Sequence, residues 1–426
     1  MQSNCINHNV HSATKTKNFI TFGALSIIAL TSTFATAGAK SQDNWVTTYA
    51  APPQKNDKFL PPVKLPTLEN QTVRNIIRIS KGGDEFRIRV ANTFGSQPLT
   101  LTAASVAVAL SGYEVQTPVD VTFAGQESIS IPVGSDVYSD PIDITVENDS
   151  DMAVSFYFQE ATGEPTIESD TYKNTYVAAG DQTDNTSLSA ISDTFNSGYF
   201  IRAVDVVARK NTVNIVTIGD SITDGFGASI DGNSTYPMAL SERLHASKKR
   251  KNSSVVNVGI GGNRLTDELS IFGAAAVSRV DSDVLAHSGV THMVLLEGIN
   301  DIGLPELAAL FPDDRVNPVT AEQLISSYTQ ITRKAQANGV KVILGTILPY
   351  KGASYYTEQG NEIRKAVNEW IRTTDIVDGI VDFDAMLRDA NDPDKLNPLY
   401  HDGDNLHPND AGYQAMANAF DLKLFK

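Results

Sequence analysis

Four short blocks hold residues that could perform acyl-transfer chemistry together. They are Gly219-Asp220-Ser221-Ile222-Thr223-Asp224-Gly225, Asn257-Val258-Gly259-Ile260-Gly261-Gly262-Asn263, Gly298-Ile299-Asn300-Asp301 and Asp404-Asn405-Leu406-His407-Pro408. A serine hydroxyl is a weak nucleophile until a base takes its proton. His407 can be that base for Ser221. Asp404 can orient the imidazole and stabilise its cation. Attack on an ester carbonyl builds negative charge on oxygen. Candidate donors for that oxyanion are the backbone N–H of Ser221, the backbone N–H of Gly262 and the side-chain amide of Asn300. Each such donor is worth about 3 kcal/mol in a transition state. Glycine at 262 lets the chain approach without a Cβ. A Gly-Asp-Ser string alone mostly makes a turn. The weight lies in the four blocks, their order and the elements they follow.

Those elements are legible from periodicity. Apolar runs at Val213–Ile218, Val255–Val258, Met293–Leu296, Val342–Thr346 and Ile376–Val381 read as strands. Helical patterns at Pro237–Ala246, Ala321–Ala337 and Glu358–Arg372 lie between them, and a last helix is expected from Ala411 to Leu424. Alternating short strands and helices predict a parallel sheet covered on both faces. Ligands on such sheets bind beyond the carboxyl ends of the strands. Three blocks follow the first three strands and the fourth precedes the last helix, so all four should meet on one rim.

Residues 45–205 have another texture. Phe86, Ile88 and Val90 alternate with Arg87 and Arg89. Met152, Val154, Phe156 and Phe158 alternate with Ala153, Ser155, Tyr157 and Gln159. Period-two alternation sends one set inward and the other outward. Further runs are Val73–Ser80, Leu101–Leu110, Val119–Phe123, Ser128–Val133, Ile142–Val146 and Tyr199–Val207. Eight or so short strands suggest a β-sandwich of jelly-roll type.

The N-terminus reads as a secretory leader. Lys15 and Lys17 precede an apolar stretch from Phe19 to Ala35, followed by Ala35-Thr36-Ala37 and Ala37-Gly38-Ala39. That pattern predicts a signal peptide over residues 1–39, cleavage near residues 37–40 and export. Thr21, Ser26, Thr31, Ser32 and Thr33 interrupt the stretch and argue against a stable membrane anchor. A β-sandwich domain over residues 40–210 and an α/β domain over residues 211–426 should follow. The single cysteine, Cys5, would leave with the leader, excluding disulfides and thiolate chemistry from the mature chain. A net charge of −16 disfavours nucleic acid and anionic lipid as partners. There is no Gly-x-Ser-x-Gly elbow, His-Glu-x-x-His or phosphate-cradling Gly-x-x-x-x-Gly-Lys.

The four blocks resemble those of the SGNH hydrolases, the GDSL esterase/lipase family, with the family's residues falling on Ser221, Gly262, Asn300, Asp404 and His407. The resemblance implies a flavodoxin-like three-layer α/β/α fold and carboxylic ester hydrolysis through an acyl-enzyme, with no metal or organic cofactor. The mature chain further resembles xylanase-associated acylhydrolases, in which a β-sandwich precedes the hydrolase domain. The stretches Trp45–Pro52, Arg87–Gly95, Gly259–Leu265 and Glu297–Gly303 carry that likeness. It implies an acetyl- or arylesterase acting on decorated carbohydrate.

Competing readings attach to several residues. A lipase or thioesterase would need a strongly apolar loop, and none stands out. A carbohydrate-binding protein would use the β half and leave the four blocks idle. The acidic run Asp392–Asp410 could hold calcium, but it lacks EF-hand spacing and reads better as a solvated loop. His401 lies near the site within that run. His245, His287 and His292 read as structural. Asp220 is expected to bond backbone N–H groups of its turn, and Glu297 to be a buried hydrogen-bonding group.

Overall fold

The computed structural model describes residues 44–57, 64–312 and 314–426. The leader expected over residues 1–39, with Cys5, lies outside the described residues. Among the described residues no helix is long and apolar enough to cross a membrane.

The C-terminal half is built on a five-stranded parallel sheet. Its strands are β1 (Val213–Gly219), β2 (Ser253–Asn257), β3 (His292–Leu296), β4 (Lys341–Gly345) and β5 (Gly379–Val381), in the order β2-β1-β3-β4-β5. This is the flavodoxin-like order, with its switch point beside β1. Every residue of β3 is buried, which demands cover on both faces. The cover includes α2 (Tyr236–Ala246), α4 (Ala321–Ala337), α5 (Glu358–Thr373) and α6 (Asp410–Ala419), with two short helices, α1 (Ser221–Asp224) and α3 (Ile299–Gly303), at the strand ends. α2 packs against α6, and α4 against α5. Thr320 opens α4 with a capping box to Gln323.

Two elements are shorter than their patterns. The last helix stops at Ala419 instead of Leu424, because Phe420 and Phe425 both turn into the core and Asp421 caps a separate turn at Lys423. The run at Ile376–Val381 pairs only from Gly379; before it, the Asp378 carboxylate takes the N–H of Val342.

The N-terminal half forms two large antiparallel sheets and two small two-stranded ones, Leu99–Leu101 with Ile129–Ile131 and Ile167–Glu168 with Gly198–Tyr199. Of the large ones, one orders the strands 45–50, 201–207, 83–91 and 142–146; the other orders 191–195, 175–179, 71–79, 150–158, 103–111 and 114–115. Val73, Ile77 and Ile79 of the second sheet share one hydrophobic cluster with Phe86, Ile88 and Val90 of the first, and with Met152, Val154, Phe156 and Phe158. The expected inward sets are thus inward. Ala153 and Ser155, expected outward, are also buried. Ala153 joins a second cluster with Ile76 and Leu188, and Ser155 accepts a hydrogen bond from Arg74. The strands Trp45–Ala50 and Thr175–Ala179 escaped the period-two pattern because both of their faces are covered.

The two halves are joined by buried polar contacts. The N–H of Val255 on edge strand β2 donates to Ser80 Oγ, and Ser254 Oγ donates to the carbonyl of Thr47. The N–H of Thr47 donates to the carbonyl of Ser288. Arg202 of the β half pairs at 2.8 Å with Asp283, both almost fully buried.

Candidate active site

Ser221 is the first residue of α1, immediately beyond β1. Asp220 caps that turn, its carboxylate accepting the N–H of Ile222 at 2.9 Å. The carbonyl of Ser221 accepts N–H groups from Gly225 and Phe226, which closes the turn. Gly219 has no room for a side chain: a Cβ there would overlap Thr223 and the carbonyl of Leu296. Arg279 ties the rim together, donating to the carbonyls of Gly219 and Val258 and to the side chain of Asn263.

His407 arrives from the segment before α6. Its Nε2 lies 2.8 Å from Ser221 Oγ, and its Nδ1 lies 2.6 Å from Asp404 Oδ2. The other Asp404 oxygen accepts the N–H groups of Leu406 at 2.9 Å and His407 at 3.0 Å. Asn405 makes this tight loop by taking φ 59°, the left-handed region that asparagine tolerates. Partial burial alone would raise the Asp404 carboxyl. The hydrogen bond and charge of His407, with the two N–H groups, outweigh it and hold the carboxyl at about 2. Phe226 leans on the imidazole, ring centres 4.4 Å apart.

Gly262 and Asn300 line the same cavity as Ser221 and His407. Gly262 sits at φ 73°, and a Cβ there would collide with the Phe272 ring. Asn300 Nδ2 donates to the carbonyl of Asn263 at 2.9 Å, which leaves its second N–H for a ligand. Its Oδ1 accepts from the Tyr355 hydroxyl at 3.3 Å, so the amide cannot flip without loss. All five sequence-named site residues are therefore at one rim.

Beneath them lies a buried acidic layer. Asp220 is pushed up to about 7 by burial, opposed by the N–H of Ile222. Burial also raises Glu297, with the neighbouring Asp220 charge adding to it, and raises Asp301 against the pull of Arg264. Asp301 accepts the N–H groups of Leu265 and Thr266 and so holds the segment that follows the second block.

The remaining candidates separate from the site. His401 accepts N–H groups of Gly403 and Asn405 within its own loop. His245 bonds Asp149 at 2.5 Å across the junction. The acids of the 392–410 run go to different partners: Asp392 to Lys351, Asp394 to Lys365, Asp402 to Asn409 and Asp410 to Ser229. Among the described residues no acidic or histidine cluster fits a metal ion.

Sequence reasoning missed most of the cavity wall. Leu304, Leu307, Leu310 and Phe311 line it, although no apolar loop had stood out. Their spacing matched neither a strand nor an amphipathic helix, because Leu304–Leu310 is a kinked 3-10 segment. Gln54, Asp57, Ser169 and Asp170 of the β half also line it, and no local signal could have announced that.

A parallel α/β sheet with these blocks on its carboxyl rim defines a carboxylic ester hydrolase. Residues 217–415 match the GDSL-like lipase/acylhydrolase family, and the C-terminal half of this chain belongs to that family, the SGNH hydrolases. No curated protein matches the chain. Similar solved structures include a GDSL-like lipase from Bacteroides thetaiotaomicron, 20% identical with TM-score 0.35, covering 50% of this chain and 87% of its own. An acetyl xylan esterase from Geobacillus stearothermophilus is 21% identical with TM-score 0.38, covering 51% and 97%. A carbohydrate acetylesterase from Sinorhizobium meliloti is 12% identical with TM-score 0.37, covering 49% and 96%.

Proposed function

We propose that this protein is an exported serine esterase that hydrolyses short-chain esters, acetyl or aryl, including those on carbohydrate. The observation that carries the reading is the continuous path Ser221–His407–Asp404, with contacts of 2.8 and 2.6 Å, opening into one cavity. Ser221 attacks the ester carbonyl while His407 takes its proton. The N–H groups of Ser221 and Gly262 and the Asn300 amide receive the oxyanion. His407 then hands its proton to the departing alcohol, and water releases the acid by the same route. Asp404 keeps the imidazole in the tautomer that presents a bare Nε2 to Ser221. The leader over residues 1–39 supports export, and the division into β and α/β domains near residue 210 supports a separate accessory role for the first.

Ser221→Ala is expected to abolish turnover of p-nitrophenyl acetate while circular dichroism shows an unchanged fold. Wild-type-like turnover in that variant would remove the mechanism.

A second reading, a lipase or thioesterase on longer chains, is favoured by the apolar wall from Leu304 to Phe311. The cavity, about 220 Å³, is smaller than the roughly 300–1,000 Å³ pockets that hold drug-sized ligands, which favours the short-chain reading. kcat/KM for p-nitrophenyl esters is expected to fall as the acyl chain grows from acetate to decanoate; a rise would favour the lipase.

A further inference from the structure

We infer that the β half builds the alcohol side of the active site, where Gln54, Asp57, Ser169 and Asp170 select esters of polyhydroxy alcohols. The inference rests on the catalytic reading above and adds a specificity role for residues outside the hydrolase domain.

The first support is position. These side chains line the same cavity as Ser221 and His407. The wall is fixed: Gln54 and Ile167 exchange backbone hydrogen bonds, and Gln54 Oε1 accepts the N–H of Ser169 at 3.0 Å. Gln54 itself is buried.

The second support is sidedness. Gly262 is backed by Phe272, which packs edge-on against Phe311 at 5.8 Å. That apolar side lies next to the Gly262 amide and suits the acyl group. His407 lies against Phe226, in the loop that follows the nucleophile. This loop is held by the β half: the N–H of Asp231 donates to the carbonyl of Tyr172, the Asn174 amide donates to Asp231, and the Tyr172 ring abuts Gly225. Residues 169–174 therefore sit on the Phe226 and His407 side. His407 delivers its proton to the leaving alcohol, so the alcohol departs toward that wall.

The third support is chemistry. A hydroxyl both donates and accepts. The wall presents the side chains of two acids, a serine and a glutamine. A simple cation would be served by acceptors alone. An anionic alcohol would face Asp57 and Asp170.

The test uses the full chain and four acetates: p-nitrophenyl acetate, an O-acetylated methyl glycoside, an O-acetylated oligosaccharide and acetylcholine. Asp57→Ala and Ser169→Ala are compared with wild type, with thermal melts confirming the fold; Asp57 is exposed, so its removal should be tolerated. For each variant, the ratio of kcat/KM on the oligosaccharide acetate to that on p-nitrophenyl acetate is expected to fall about tenfold, chiefly through KM, as loss of hydrogen bonds to substrate implies. Ratios within about threefold of wild type, or equal losses on both esters, would overturn the inference. So would a wild-type enzyme that cleaves the aryl acetate but neither sugar acetate, or that prefers acetylcholine; in those cases the catalytic reading survives. A wild type inert on all four acetates would instead sink the catalytic reading, and this inference with it.

Discussion

Asn300 illustrates how much of a catalytic group's work is done by its neighbours. One of its N–H bonds is committed to Asn263, and its oxygen is engaged by Tyr355. The remaining N–H is thereby aimed before substrate arrives, which is what makes a donor effective in the transition state. Asn300→Ala is expected to cost on the order of a hundredfold in kcat, and a change below roughly threefold would exclude the role. Asp220 makes a different claim. Its carboxyl moves from an ordinary 3.8 to about 7 in the folded chain. Between those values the folded state keeps a proton that the unfolded state releases. Its contribution is complete below 3.8 and is lost as pH rises through about 7. Asp404 acts in the opposite sense, losing its contribution only as pH falls toward about 2, outside that window. In urea unfolding the stability of wild type relative to Asp220→Asn should therefore decline from pH 4 to 8, while the buried His287 and His292, held low, act in the opposite sense in both proteins. An identical slope in the variant would refute this. The sequence exposed Ser221, Gly262, Asn300, Asp404 and His407 because their blocks are local. It could not expose Tyr355 or Arg279, whose partners are distant in the chain.

At the level of elements, the boundaries of α4 and of the strand Ile142–Val146 are those that periodicity predicts. These elements have one buried face and one wet face, so their patterns survive in the sequence. Elements covered on both sides leave no such trace, and Trp45–Ala50 is the clearest case. The N-terminal half contains sixteen strands among the described residues, against an expectation of about eight. Several of the extra ones are pairs of residues, such as Glu114–Val115 and Ile167–Glu168, too short to carry any alternation. Ile167–Glu168 nonetheless matters, because it anchors the wall at Ser169 and Asp170. The shortened last helix teaches the same lesson from the other direction: helical spacing continued to Leu424, while the burial of Phe420 and Phe425 decided the actual end.

Across the molecule, the junction between the halves is buried, polar and charged. Asp283 is held below the usual carboxylate range: burial would raise it, but Arg202 and Arg279 outweigh that. Removing it would strand two buried guanidinium groups, and breaking such a pair costs about 3–5 kcal/mol. Asp283→Ala is expected to lower the urea midpoint of the full chain accordingly. A shift corresponding to under about 1 kcal/mol would mean that water or rearrangement compensates the pair. Because Arg279 also holds Gly219 and Val258, the same change should loosen the nucleophile turn. The serine at position 80 carries a further consequence. Its hydroxyl occupies an amide on the outermost parallel strand, a place where a foreign backbone could otherwise zip on. A shortened chain beginning at Thr212 would bare that margin, and polymerisation would then compete with folding.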